Sequence, residues 1–330
     1  MKLNSTVEII AGKLQNTPAI SFFYNSQNDP NKVKEGDLFF AKNKKDLLEA
    51  IKNGAFGVVY DFNVDITDKE IAWIKVLSVM DSIIRLSRYE LSQFELNFSY
   101  TDQTTFDLLK IYKNTAENIF LLENIEDILS LPKKVKEGSY IFSSDKHISE
   151  KLYPSAKKFV NTDWDINNLI NHTLFETSFS LGEFYFSRIK LAQLYIKRYL
   201  DIFSFFKLEF DVDIDNNKLK RFKHFRPIFI DKFLNISDFG STSRFILAEK
   251  DFALAKEQIR FLEENYKYGK KLYITSKNFS KKYKNQYIYE STEEILHYLN
   301  IENYNCIFVE GISFDDVNEL LSSKDINTLF

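Results

Sequence analysis

Short apolar runs alternate with amphipathic stretches along most of this chain, and the pattern is sharpest between Val33 and Asp61, VKEGDLFFAKNKKDLLEAIKNGAFGVVYD. Leu38-Phe39-Phe40-Ala41 predicts a strand. Lys44 to Asn53 sets Leu47, Leu48 and Ile51 on one face of a helix, and Gly57-Val58-Val59-Tyr60 predicts a second strand. Lys34-Glu35-Gly36-Asp37 carries turn chemistry, and Gly54 is placed to stop the helix. Strand, helix and strand in this order predict a βαβ unit with a parallel pair and a right-handed crossover.

Elsewhere the pattern is less regular. Val7 to Leu14 fits a short strand or a helix, Ala19 to Tyr24 a strand, and Asn25 to Asn31 a polar loop. Ile74 to Leu77 predicts a strand, and Asp81 is placed to cap a helix over Ser82 to Phe94. Phe98-Ser99-Tyr100 leads into a helical pattern that Thr101 or Asp102 caps. Strands are expected near 119–122, 140–143 and 157–160. Phe184 to Phe206 forms a long aromatic pattern assigned to one helix, buried against a neighbour, with a membrane-surface helix as the alternative because Arg188, Lys190, Lys197 and Arg198 punctuate it. Phe252 to Tyr266 (helix), Lys271 to Thr275 (strand), Ser291 to Asn300 (helix) and Cys306 to Val309 (strand) make a Rossmann-like alternation.

At 330 residues the chain has room for two or three domains, each with its own core. A net charge of −3 gives no field that favours nucleic acid or an anionic membrane. The 32 Phe and 18 Tyr sit mostly inside apolar patterns rather than in a basic groove, so they are assigned to cores and not to base stacking. The one cysteine, Cys306, lies in an apolar run with no histidine in a catalytic pattern, which predicts a buried thiol. His147 and His172 are isolated, so no metal spacing is present. The N-terminus lacks the apolar core of a signal peptide, and no run approaches the length of a membrane span, so a cytoplasmic protein is expected.

The stretch "VKEGDLFFA…AIKNGAFGVVYD" resembles the N-terminal domain of the Mur ligases of the MurE and MurF type. These ATP-dependent amide ligases add amino acids to UDP-linked muramic acid, and their first domain carries a V-x-PGDLFxA strand, a helix ending in "A…GA", then "VV". The resemblance implies an α/β, three-domain Mur-ligase-like architecture: an N-terminal domain of the UDP-binding type over 1–96, a shortened central ATPase-like domain over 97–206, and a Rossmann-like C-terminal domain over 207–330.

The same resemblance implies where a site belongs and what has changed there. Ser26 falls at the hydroxyl of the family's D-[ST]-R triplet, which holds the uridine diphosphate end of the substrate. Gln27 falls at its arginine, and a neutral amide is no substitute for that charged fork. Where the family has T-G-[ST]-[ND]-G-K-[ST]-[ST], this chain has Tyr100-Thr101-Asp102-Gln103-Thr104-Thr105. The paired threonines Thr104 and Thr105 remain, Gln103 stands for the lysine, Asp102 for a glycine, and no glycine occurs between Gly57 and Gly138. Ile128 replaces a histidine, and the segment that carries the family's metal-binding glutamate and modified lysine is cut short. Further on, Leu219 to Ile228 corresponds to "F-x-P-V-x-GR-x-E" and Ile236 to Gly240 to the "IDDYAHNP" strand end, which makes Arg226 and Asp238 remnants of a nucleotide site.

Ligation through an acyl phosphate needs Mg²⁺ and a cationic clamp on the transferred phosphoryl group. Loss of one preorganised donor costs about 3 kcal/mol of transition-state stabilisation, and here the lysine, glycines and metal ligands go together. The expectation is a catalytically inactive Mur-ligase-like protein, with no catalytic residue, metal or cofactor, that binds or scaffolds other proteins of peptidoglycan and cell-envelope synthesis. The alternatives are a divergent amide ligase that uses ATP and Mg²⁺ on UDP-MurNAc-peptide precursors, and a non-catalytic binder of those precursors. The residues carried forward are Thr104, Thr105, Arg226 and Asp238 for nucleotide and Ser26 for the precursor. No nucleic-acid partner and no membrane span are expected.

Overall fold

The computed structural model describes residues 1–159, 163–279, 282–300 and 304–323. It divides into two compact units, Met1–Val160 and Asn161–Phe330.

The first unit opens with α1 (Leu3–Ile9) and β1 (Lys13–Leu14), followed by β2 (Ser26–Gln27), β3 (Leu38–Phe40), α2 (Lys44–Lys52), β4 (Gly57–Tyr60), β5 (Ala72–Lys75) and α3 (Val79–Leu91). The sheet order is β1-β5-β4-β3-β2, parallel throughout except for β1. β3 and β4 pair in parallel, Leu38 opposite Gly57, with α2 between them in sequence, which is the expected βαβ unit. Asn43 caps α2 by accepting from the Asp46 N–H at 2.9 Å, and Gly54 ends it at φ +98°. Successive strand residues turn to opposite faces. Phe39, Val58 and Trp73 therefore pack with Leu47 and Ala50 of α2, while Leu38, Phe40, Val59 and Ile74 pack with Ile83 and Leu86 of α3. Coverage on both faces explains why these strands are apolar at every position.

Four expectations change in this region. The helix near the N-terminus lies earlier than Val7 to Leu14 and is followed by β1. Ala19 to Tyr24 is not a strand, since only Phe22 forms an isolated bridge, with Lys2. The strand is Ser26–Gln27, inside the segment assigned to a polar loop, because it pairs with the apolar β3. Ser78, not Asp81, caps α3, its Oγ accepting from the Asp81 N–H at 3.2 Å.

A second sheet follows from β6 (Asn97–Tyr100), α4 (Gln103–Tyr112), β7 (Ile119–Leu122), α5 (Ile125–Ser130), β8 (Tyr140–Ser143), α6 (Lys146–Leu152) and β9 (Lys157–Lys158). Its order is β7-β8-β6-β9, all parallel. The strand expected over 157–160 ends at Lys158, and Val160 lies outside the described residues. α3 packs against α5 and α6, so one buried cluster runs from Leu38 and Ile74 to Ile141 and Leu152.

The second unit begins with an antiparallel meander, β10 (Ile166–Thr173), β11 (Glu176–Leu181) and β12 (Phe184–Ile189), and continues with α7 (Ile196–Phe210). The single helix expected over Phe184 to Phe206 is therefore a strand followed by a helix. Its Phe-x-Phe start satisfies a two-residue period as well as a helical one, and Phe186 stacks on Phe179 of β11 at 4.7 Å. Residues 206 and 207, the expected boundary between the central and C-terminal domains, both lie within α7.

The unit closes with β13 (Ile228–Phe229), β14 (Phe245–Glu249), α8 (Phe252–Asn265), β15 (Lys271–Ser276), β16 (Gln286–Tyr289), α9 (Thr292–Leu299), β17 (Cys306–Glu310) and α10 (Phe314–Ser323). The sheet order is β13-β14-β17-β15-β16, and all but β13 run parallel. Ile246, Ile274, Ile307 and Val309 pack with Ile295 of α9 and Val317 of α10. Cys306 is fully buried in β17, and that burial pushes its thiol pKa up. Among the described residues no helix is long and apolar enough to cross a membrane.

Candidate functional site

Asp102 governs the turn between β6 and α4. Its Oδ1 accepts from the Thr105 N–H at 3.1 Å and its Oδ2 from the Thr105 hydroxyl at 2.8 Å. Thr104 and Thr105 are fully buried, and the Gln103 amide donates to Asp107 at 2.9 Å. No residue from 55 to 117 has a positive φ, so the backbone does not curl into the N–H nest that holds a phosphate. A helix N-terminus attracts anions, but here a carboxylate already occupies it. Ser26 is buried in β2, with its backbone paired to Leu38.

The second unit holds a different constellation. Glu249, at the end of β14, is buried, and its Oε2 lies 2.8 Å from His224 Nδ1 and accepts from Gln258 Nε2 at 2.6 Å. Gln258 Nε2 also lies 2.9 Å from the Tyr195 hydroxyl, and Glu249 Oε1 accepts from the Asp251 N–H at 3.1 Å. Burial with the charge of Glu249 raises the Tyr195 pKa, so that hydroxyl keeps its proton. In the register partner of Glu249 on β17, Glu310, Oε2 accepts from the Ser276 N–H at 2.9 Å and hydroxyl at 3.0 Å. Glu310 Oε1 is buried with no hydrogen-bond partner among the described residues, and burial raises this carboxyl's pKa.

His224 also lines a cavity of about 250 Å³ with Lys190, Lys220 and Arg226, walled by Phe175 and Phe239 among other rings; no Asp or Glu lines it. Lys190 Nζ sits 5.0 Å over the Phe239 ring, and the Arg226 guanidinium 5.2 Å over Phe314. A larger cavity of about 480 Å³ shares Phe175 and Phe239 and adds Phe229, Phe245, Phe261 and Tyr266.

No protein-family model and no curated protein matches the sequence. Solved structures do match in shape. MurF from Acinetobacter baumannii is similar with a TM-score of 0.58 at 10% identity, over 98% of each chain. A MurF ligase from Thermotoga maritima, solved in complex with ADP, is similar with a TM-score of 0.54 at 14% identity, over 87% of this chain and 93% of that one. The fold is that of a Mur ligase. A further similar structure is the UDP-N-acetylmuramoylalanyl-D-glutamyl-2,6-diaminopimelate–D-alanyl-D-alanyl ligase from A. baumannii, with a TM-score of 0.52 at 10% identity over 99% and 98%.

Within this Mur-ligase-like fold the five sequence-derived residues fare differently. Thr104 and Thr105 are buried at the start of a capped helix, and Ser26 is buried in a strand. Arg226 faces a cationic cavity. Asp238 lies on an exposed loop and ends no strand; the next strand along the chain, β14, runs into α8, and the carboxylate at its end is Glu249. Sequence reasoning missed His224, Glu249 and Gln258. The run Lys220-Arg221-Phe222-Lys223-His224-Phe225-Arg226 carried a usable signal, cations interleaved with rings. Among the described residues no group of three or more His, Cys, Asp or Glu is placed to hold a metal ion.

Proposed function

We propose that this chain is a catalytically inactive Mur-ligase-like protein, with a cytoplasmic binding or scaffolding role among the proteins of peptidoglycan and cell-envelope synthesis. The observation that carries this reading is the Asp102 cap. A phosphate seated at the start of α4 meets a carboxylate instead of a lysine ammonium, and Thr105 has its hydroxyl turned to that carboxylate instead of to a metal ion. Neither ATP nor Mg²⁺ has a part in the proposed role.

Calorimetric titration of the full chain with Mg·ATP tests it, alongside an assay for ADP release in the presence of a UDP-MurNAc-peptide and an amino acid. Silent titration and no ADP are the expected results. Micromolar ATP binding or measurable ADP release overturns the proposal in favour of a divergent ligase. Binding of the UDP-MurNAc-peptide alone replaces the scaffolding role with that of a precursor binder.

A further inference from the structure

The two adjoining cavities of the second unit divide by chemistry. Lys190, Lys220, His224 and Arg226 converge on the smaller one without a carboxylate in its lining. Lys190, Lys220 and Arg226 form no ion pair within 4.0 Å among the described residues; Asp315, whose charge acts on Arg226, bonds Lys223. A half-buried guanidinium with no paired anion is uncommon, because desolvating a charge is costly unless a counter-charge compensates. Burial draws the Arg226 pKa down, and the charge of Asp315 offsets only part of that.

The larger cavity, about 480 Å³, falls within the roughly 300–1,000 Å³ of small-ligand sites and is walled by phenyl rings. Three of its polar side chains are already engaged within the protein. The Asn265 amide donates to the Phe261 carbonyl at 2.8 Å, the Asn171 amide to Gln193 at 2.6 Å, and the Thr242 hydroxyl to the Arg244 carbonyl at 3.0 Å. Five phenylalanine rings, Phe175, Phe229, Phe239, Phe245 and Phe261, line the wall, and such a lining suits hydrocarbon. Phe239 joins the two halves, since its ring lines both cavities and carries Lys190 on its face.

We propose that this joint cavity binds a small amphipathic anion, with its hydrocarbon among Phe229, Phe245 and Tyr266 and its carboxylate or phosphate head on Lys190, Lys220 and Arg226. Arginine suits either head, because its fork matches both geometries. The inference stands apart from the reading of Asp102, which concerns the other unit.

Calorimetry on the full chain, below micellar concentrations, tests it with dodecanoate, dodecyl phosphate, dodecanol, inorganic phosphate and ADP. At least one of the two amphiphilic anions is expected to bind tenfold or more tightly than dodecanol and inorganic phosphate, and the preferred one identifies the head group. Lys190→Glu weakens that anion about tenfold and leaves dodecanol unchanged. Phe239→Ala, at an exposed ring, weakens both. Lys220→Glu repeats the charge test should Lys190→Glu fold poorly. Equal affinity for dodecanol and the anions, indifference to both charge reversals, tighter binding of ADP than of either amphiphile, or no binding at all overturns the proposal.

Discussion

Asp102 holds Thr105 twice, through its backbone N–H at 3.1 Å and its hydroxyl at 2.8 Å. The first bond caps α4 and the second satisfies a buried hydroxyl. Removing a helix cap costs about 0.5–2 kcal/mol, and stranding a buried hydroxyl costs about 1–3 kcal/mol. Asp102→Ala is therefore expected to lower the urea midpoint clearly, with an unchanged slope. Asp102→Asn, which keeps an acceptor, is expected to lose less than half as much.

The carboxylate of Glu249 gathers His224, Gln258 and the Asp251 N–H in a buried setting. Glu249→Leu strands these groups, and each stranded polar group costs about 1–3 kcal/mol. A double-mutant cycle with Gln258→Leu, read by urea unfolding, is expected to show strong coupling, because the second substitution removes a donor that the first has left unpaired.

Glu310 is raised by burial above its ordinary value of 4.5. The folded protein thus keeps this proton to a higher pH than the unfolded chain does. Stability tied to the group is complete below the ordinary value and falls as pH rises through the raised one. Glu310→Gln, which keeps acceptance from Ser276, is expected to flatten that fall. The difference in urea midpoint between wild type and variant should be smallest near pH 4 and largest at pH 8.

Gly36 turns the chain before β3 at φ +93°, and a Cβ there falls 2.0 Å from the Tyr24 ring. The left-handed conformation costs a non-glycine residue about 1–2 kcal/mol before any clash. Gly36→Ala is expected to exceed that figure in thermal or urea unfolding. Combining it with Tyr24→Ala should recover the steric part and leave the backbone part.

The βαβ unit over 33–61 was legible because every local signal agreed: turn glycines, a two-sided strand, an amphipathic helix and its cap. A helix cap at Thr101 or Asp102 was legible for the same reason, and the structure gives it to Asp102. The segment 184–206 was not legible, since its aromatic start fits a two-residue period as well as a helical one, and pairing with β11 decides between them. Ser26–Gln27 misled in the opposite sense, its polar composition overridden by pairing with Leu38–Phe39. Arg226, assigned through its motif neighbours, lines a cavity, while Asp238 ends no strand; the next strand end, Glu249, comes about ten residues later. His224 and Glu249 meet only in space, 25 positions apart, and nothing short of the folded sheet brings them together.

Cys306 gives the second unit a built-in reporter. The chain has one sulfhydryl, sealed in the middle of a five-stranded sheet and held in its protonated, unreactive form. A thiol reagent therefore ignores the native protein and modifies it only when that sheet opens, at a single site and with a single stoichiometry. The labelling rate becomes a clock for opening of the carboxy-terminal unit, with no engineering and no signal from the amino-terminal one.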